Sequence, residues 1–415
     1  MKFCAAIRFC LKIVTGACVI LAHPTSFADT LSLQQAIELG LPLHPSVKAA
    51  RGDLRAARGN FWERVSPASP LFRIENEEIP RMENLSQYGR QTISLSQSFE
   101  FPFLTYYRGR AAHQTVQSAR VNYELVRAEA KGEIAMAYID AWLLQKLESI
   151  ADSLAQATKF LAETAEKRYT AGAATAVERD RLRARAEQFA RKREVAELDF
   201  NLSLTELALL IGKKTDTHLD LTGPGLVDPN LPDLRMTPAA TAQVQRSQFA
   251  LKAARAEQGA SRLSWLPQIE LELFRQEDRS QRFWGGAIQL SLPVWFELSG
   301  TGNLKKTSGV VERAKAEVEQ AERQWQVDWL RASRSFENAK RRFQSLEEIG
   351  LPAARRAYNA ALRSYEVGKL GVTDLLATFL ETQETEREYL EVQREIWQWR
   401  TRLEVLLAGQ TRGTE

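Results

Sequence analysis

No proline interrupts this chain between Pro102 and Pro224, and after Pro293 only Pro352 does so. Proline removes a backbone donor and clashes with the preceding turn, so very long helices survive only where it is absent. The proline-free stretches are rich in Ala, Glu, Arg, Leu and Gln, all good helix formers. Helices are therefore predicted over Leu104 to about Tyr169, Ala176–Leu210, about Asn303–Tyr365 and Thr373–Leu407. A helix of some 65 residues is about 100 Å long. No ordinary globular domain needs that length, whereas a rod or tunnel crossing a wide aqueous compartment does.

The apolar spacing inside these helices says how they pack. Val121, Leu125, Ala128, Gly132, Ala135, Ile139 and Trp142 alternate steps of four and three, as do Trp329, Ala332, Phe336, Ala339, Phe343 and Leu346. Each set forms a heptad-like seam, and its small residues let helices approach closely.

The chain also repeats itself. Lys48-Ala49-Ala50-Arg51 recurs as Lys252-Ala253-Ala254-Arg255, and Ile93-Ser94-Leu95-Ser96 as Ile288-Gln289-Leu290-Ser291. Tyr169 and Gly172 recur as Tyr365 and Gly368, and Leu210-Ile211-Gly212 as Leu407-Ala408-Gly409. Matches in one order, at a spacing of about 200 residues, mark two copies of a unit too long for a solenoid repeat. The expected organisation is a signal segment (1–28), a first repeat (29–221), a linker (222–238), a second repeat (239–410) and a short tail (411–415). Each repeat reads as helix, two strands, very long helix, turn, helix.

The predicted strands are Leu71–Ile79, Thr92–Phe99, Gln268–Glu277 and Gly286–Trp295. Ile269, Leu271 and Leu273 alternate with Glu270 and Glu272, and Ile288, Leu290 and Leu292 with Gln289 and Ser291. Such lengths suit a tilted strand crossing a bilayer. Aromatics collect near the strand ends: Phe99, Phe101, Phe103, Tyr106 and Tyr107, then Phe283, Trp284, Trp295 and Phe296. That is the girdle expected at membrane interfaces, although a half-buried soluble hairpin would show a similar alternation. The long helices favour the membrane alternative. Four strands cannot close a barrel, since roughly eight is the lower limit, so several chains must share one. Prolines at 67, 70, 102, 267 and 293 mark each passage between strand and helix.

Lys2, Arg8 and Lys12 precede a short apolar run, Ile13–Ala22, and Ser26-Phe27-Ala28 supplies a cleavage-type sequence, the pattern of a secretory signal. All three cysteines (Cys4, Cys10, Cys18) fall inside it, which leaves no disulfide and no thiolate ligand downstream. Cys18 lacks the upstream leucine usual for lipidation. Without this segment the formal net charge drops from +4 to +1, which offers nucleic acid no electrostatic footing.

Leu351-Pro352-Ala353 leads to Tyr365, Gly368 and Asp374-Leu375-Leu376, with glycine three after the tyrosine and aspartate six after the glycine. The first half carries the same spacing at Tyr169, Gly172 and Glu178. In these turns, and over essentially the whole chain past the signal, the sequence resembles the TolC family of outer-membrane efflux proteins. The resemblance implies a mainly α fold with a small β part: a long coiled-coil helical barrel, plus four membrane strands per chain completing a 12-stranded barrel in a homotrimer. It implies a passive duct across the periplasm and outer membrane of a Gram-negative bacterium. The partners would be a periplasmic adaptor (membrane fusion) protein, an inner-membrane RND-type pump and outer-membrane lipid. Tyr169, Gly172, Glu178, Tyr365, Gly368 and Asp374 would then form the periplasmic aperture and adaptor tip. Asp374 would ring the axis with carboxylates that favour cations, or would serve, like Glu178, as an acid at a helix start. Family members carry further charges where Leu370 and Ala377 stand here.

Ile74-Glu75-Asn76 and Ser94-Leu95-Ser96-Gln97 resemble the heavy-metal resistance (CzcC-like) branch, although Phe99-Glu100-Phe101-Pro102-Phe103 replaces its glycine-rich basic stretch. Heavy-metal cations are the expected cargo; a drug-efflux or polypeptide-secretion duct, or a periplasmic coiled-coil scaffold without a pore, are the alternatives. No catalytic constellation, cofactor motif or phosphate loop is present, so no enzyme activity and no cofactor are expected. His44, His113 and His218 are scattered, and the acidic cluster Glu75, Glu77 and Glu78 reads as a solvated or lumen face rather than a metal site.

Overall fold

The computed structural model describes residues 29–79, 88–214, 219–224, 238–278, 281–291, 296–367 and 369–409. The expected signal segment, most of the linker, His218 and Gly368 lie outside them.

The chain begins with β1 (Asp29–Leu31), which pairs in parallel with β4 (Leu219–Leu221) from the end of the first half. α1 (Leu33–Gly40) starts at a capping box, Ser32 accepting from the Gln35 amide while the Gln35 side chain accepts from the Ser32 amide. α2 (Pro45–Val65) leads into β2 (Leu71–Glu77) and β3 (Arg90–Phe99). α3 (Pro102–Thr170) is a single 69-residue helix, and α4 (Ala176–Leu210) returns along it. The second half runs from a 3₁₀ turn at Pro238–Ala240 through α5 (Ala242–Arg262), β5 (Gln268–Asp278) and β6 (Gln281–Ser291). α6 (Phe296–Ser345) continues through a π turn (Leu346–Gly350) into α7 (Leu351–Glu366), and α8 (Val372–Leu406) returns. The fold is mainly α with a small sheet.

Three details depart from expectation. Pro102 opens α3 rather than preceding it, because the first helical position needs no amide donor. β6 starts at Gln281 rather than at 286, so Gly285 and Gly286 sit inside the strand. The Phe274 ring fills the space beside Gly285, where an added Cβ would collide with it. The expected final residues of this strand, 292–295, fall outside the described segments. The second long helix is not uniform: Pro352 cannot donate to the carbonyl four residues back, and just before it the Leu351 amide reaches back five residues to Leu346.

Helix packing gives the chain an order. α2 packs on α3, α3 on α5 and α5 on α6, matching the sheet order β2-β3-β5-β6. Farther along the rod α4 packs on α3, α3 on α8, and α8 on α6 and α7. The seams read from sequence are at the centre of this packing: Ala135, Ile139 and Trp142 belong to one buried cluster, and Ala332, Phe336 and Ala339 to another. Tyr138 is fully buried in the first cluster; its hydroxyl donates to the Leu31 carbonyl at 2.6 Å, and burial raises its pKa. It ties the β1–β4 pair to the long helix. Trp325 does the corresponding work in the second cluster, its indole N–H donating to Leu406 at 3.0 Å.

Candidate functional site

The sheet is built from two hairpins that meet at β3 and β5. Leu95 stands opposite Phe72 on one side and Leu273 on the other, and Leu273 opposite Gly286. Residues paired across strands share a face. One face therefore carries Phe72, Ile74, Ile93, Leu95, Phe99, Ile269, Leu271, Leu273, Trp284, Ile288 and Leu290. The opposite face carries Arg73, Glu75, Thr92, Ser94, Ser96, Glu270, Glu272, Gln276 and Gln289 by the same registers.

The apolar face is uncovered. Leu273 is 68% exposed, Ile288 72% and Trp284 80%, whereas Ser94 and Ser96 on the polar face are buried. A water-soluble hairpin packed on its own helices would show the reverse. Exposed apolar area of this extent marks a surface that meets lipid or another chain. β2 and β6 are the outer strands, and the outward edge of each lacks a partner among the described residues.

Aromatic side chains rim the sheet where it meets the helices. Phe99, Phe103 and Tyr106 are exposed there, joined by Trp62 at the end of α2 and Trp265 after α5. The last two escaped the sequence reading because neither lies at a strand end: Trp62 is within α2 and Trp265 follows α5 ahead of Pro267. Tyr107 instead packs against Gly259. At the other end of β6, Trp284 points to the apolar face and Phe283 to the polar one; the side chains of Trp295 and Phe296 are outside the description. Arg64 pairs with Glu257 at 2.6 Å and Arg108 with Glu100 near the sheet–helix junction.

Glu77 of the first hairpin is engaged with arginine. Arg90 lies 3.1 Å from Glu77 and 3.8 Å from Asp278, bridging two strands. Among the described residues no group of three or more His, Cys, Asp or Glu is arranged to hold a metal ion. His44 is buried with Nδ1 2.7 Å from Ser46 and Nε2 3.3 Å from Glu133, and His113 lies 3.4 Å from Gln117. No described helix is long and apolar enough to cross a membrane.

At the far end of the rod the two helical tips come together. Ala165 of α3, Leu182 of α4, and Val372 and Leu376 of α8 form one buried cluster, with Tyr365 packed against it. In the first tip Gly172 has φ +71°, and its amide and that of Ala173 bond back to Tyr169 and Arg168. That reversal suits glycine. Thr175 caps α4 by accepting from the Glu178 amide, and the Glu178 carboxylate faces Arg168 at 3.9 Å. Arg179 lies 4.3 Å over the Tyr169 ring and donates to Asp180, a bond that holds the Asp180 carboxyl below its usual range.

The second tip is built otherwise. Lys369 and Leu370 amides bond back to Ser364, closing the reversal around Gly368, which is outside the described residues. α8 starts at Gly371 with no side-chain cap, and Asp374 in its first turn is exposed, with no ion pair to a described residue. Glu178 and Asp374, equivalent by sequence spacing, thus have different surroundings.

The profile of the family described as "Outer membrane efflux protein" matches residues 237–409. The cobalt-zinc-cadmium resistance protein CzcC of Cupriavidus metallidurans is 23% identical over 406 residues, covering 95% of this chain and 94% of CzcC. Among solved structures, a membrane protein from Pseudomonas aeruginosa superposes with a TM-score of 0.78 at 16% identity, over 91% of this chain and 93% of the other. The outer membrane protein VceC of Vibrio cholerae gives 0.76 at 18% identity, over 91% and 97%. The fold of this chain is the fold of these proteins.

Proposed function

We propose that this chain, a member of the outer membrane efflux protein family through its second half and its fold, is one subunit of a trimeric duct through the outer membrane. The observation that carries the proposal is the uncovered apolar sheet face bounded by two open strand edges. Lipid covers that face. An open edge in hydrocarbon leaves backbone groups unpaired at several kcal/mol each, so β2 of one copy pairs with β6 of the next. Three copies bring twelve strands, above the minimum of roughly eight for closure. The polar face then lines a bore, and the helices extend it through the periplasm. A scaffold without a pore would have buried the apolar face on its own helices.

The duct is passive. Drive and cargo choice come from an RND-type pump in the inner membrane, joined through a periplasmic adaptor. CzcC is named for resistance to cobalt, zinc and cadmium, and divalent transition-metal cations are the cargo assigned here. Tyr169, Gly172, Glu178, Tyr365, Gly368 and Asp374 form the periplasmic tip. Within it Asp374, exposed and without an ion pair among the described residues, supplies the carboxylate ring at the aperture, while Glu178 is held by Arg168. A deletion strain sensitised to cobalt, zinc and cadmium but not to hydrophobic drugs is the expected phenotype; the opposite pattern would reassign the cargo. In bilayer recordings the purified protein conducts, and Asp374→Ala lowers its cation preference. Unchanged selectivity would return Asp374 to a helix-start role.

A further inference from the structure

We infer that the outer side of the helices just below the sheet is a lipid-headgroup surface, on which Arg58, Arg110 and Arg262 take the phosphates of anionic glycerophospholipids in the periplasmic leaflet. This rests on the reading of the sheet as membrane-spanning and adds to it a preference among lipids.

Side chains two residues apart on a helix point to nearly opposite sides, and those three or four apart share one. Lys48, Arg51, Arg55, Arg58 and Trp62 therefore form one stripe on α2, with Asn60 and Arg64 opposite. Phe103, Tyr106 and Arg110 form a stripe on α3, with Arg108 opposite. Lys252, Arg255, Gly259 and Arg262 form one on α5, with Glu257 opposite. The opposed residues mark the inner side. Asn60, Arg64, Arg108 and Glu257 line one cavity under the junction, together with Ser98 of the polar sheet face. The stripes thus face outward and continue the apolar face of the sheet. The recurring pairs Lys48/Arg51 and Lys252/Arg255 lie on two of them, which gives the repeated motif a place outside the core.

The two sides are charged differently. Inside, each arginine is matched by a carboxylate, Arg64 by Glu257 and Arg108 by Glu100. Outside, the basic side chains of the three stripes are exposed, and none has an ion pair with a described residue. Asp53 stands two residues from both Arg51 and Arg55 and so points the other way, and α3 has no acid before Glu124. Exposed aromatics, Trp62, Phe103, Tyr106 and Trp265, stand at the sheet end of the same helices. Such rings seat at the membrane–water interface. Arg58, Arg110 and Arg262 each lie about one turn farther from the sheet than Trp62, Tyr106 and Trp265, at a depth of roughly 5–6 Å that suits headgroups. Arg55 and Arg255 follow within about 10 Å, near enough to add to the field at that plane. A zwitterionic headgroup brings its own cation and leaves these charges unmatched; a net-anionic one matches them.

The test is native mass spectrometry of the full chain in detergent, titrated with phosphatidylglycerol, phosphatidylcholine or inorganic phosphate. Phosphatidylglycerol is expected to be retained at least about tenfold better than phosphatidylcholine, and inorganic phosphate should not displace it. Arg58→Gln/Arg110→Gln/Arg262→Gln is expected to abolish the preference with trimer mass and conductance unchanged. Lys48→Gln/Arg51→Gln/Lys252→Gln removes the same charge roughly 10–15 Å farther from the membrane, where screening should hold the loss below about twofold. Three results would each overturn this surface and leave the duct standing: equal retention of both lipids, displacement by phosphate, or equal losses from the two triple variants, the mark of a soluble polyanion that reads whole stripes. A wild-type chain that enters vesicles of neither lipid would sink both.

Discussion

The two helical hairpins share one residue spacing at their tips yet are built to different rules. In the first, α3 runs 69 residues without a break, and its tip is closed by a left-handed glycine, a threonine cap and the Arg168–Glu178 pair. In the second, α6 and α7 are joined by a five-residue π turn ahead of Pro352, and α8 starts without a side-chain cap. Charge in the first tip is neutralised locally; in the second the acid faces solvent. The same spacing, Tyr169 to Glu178 and Tyr365 to Asp374, thus ends in two different tips: one closed by a threonine cap and an ion pair, the other presenting its carboxylate to solvent.

The largest effect that would sharpen this contrast lies in the shared seam. The first cluster buries Ile139 and Trp142 one turn apart, and the second buries Phe336 and Ala339 one turn apart. Phe336→Ala should cost about 3–5 kcal/mol and Ala339→Gly about 1 kcal/mol, while in the first half Trp142→Ala should be the costlier of its pair at about 3–5 kcal/mol. Denaturant unfolding measures this, and equal losses at Phe336 and Ala339 would break the comparison. At the tips Gly172→Ala should cost about 1–2 kcal/mol, because an alanine resists φ +71° even with open space around it. Gly371→Ala, at φ −77°, should be near neutral. Equal penalties would mean that the reversals are alike after all.

Smaller still is Arg168→Ala, at about 0–1 kcal/mol for an exposed pair. Its sharper readout is the freed Glu178 carboxylate, which should begin to contribute to cation selectivity, the role proposed for Asp374. The smallest effect is acid loosening of the first tip alone. Asp180 is held below its ordinary value of 3.8 by the hydrogen bond from Arg179. Its contribution is thus present above that value and lost as pH falls through the lower, folded one. Hydrogen exchange of α4's first turns should rise below that range, with no matching change at α8.

Much of the fold was legible because its signals are strong and periodic. The four-and-three spacing places the buried seam correctly from Gly132 to Trp142, while Val121, Leu125 and Ala128 are only half-buried, and Ala176–Leu210 coincides with α4. Both hairpins were visible in the alternation of Ile269, Leu271 and Leu273 against Glu270 and Glu272. What stayed hidden has no local period. β1 and β4 are three residues each and nearly two hundred apart, and they join the core through Leu31, Leu219, Leu221 and the Tyr138 hydroxyl. The apolar seam read from sequence stops at Leu346, where the π turn begins, so a lone proline was its only trace. Gly285 and Gly286 resemble a turn until the Phe274 ring is seen beside them. At the tips, spacing alone made Glu178 and Asp374 look alike; the difference lies in Arg168, one turn before the reversal, and in the threonine that replaces glycine as the cap.

The lipid-facing sheet carries the whole account, and β6 offers the most direct test of it. Single cysteines replacing Ile288, Gln289 and Leu290 in outer-membrane vesicles should alternate. The first and third should meet a lipid-phase quencher and exclude a water-soluble thiol reagent, and the middle one should do the opposite. Uniform labelling of all three from water would contradict it.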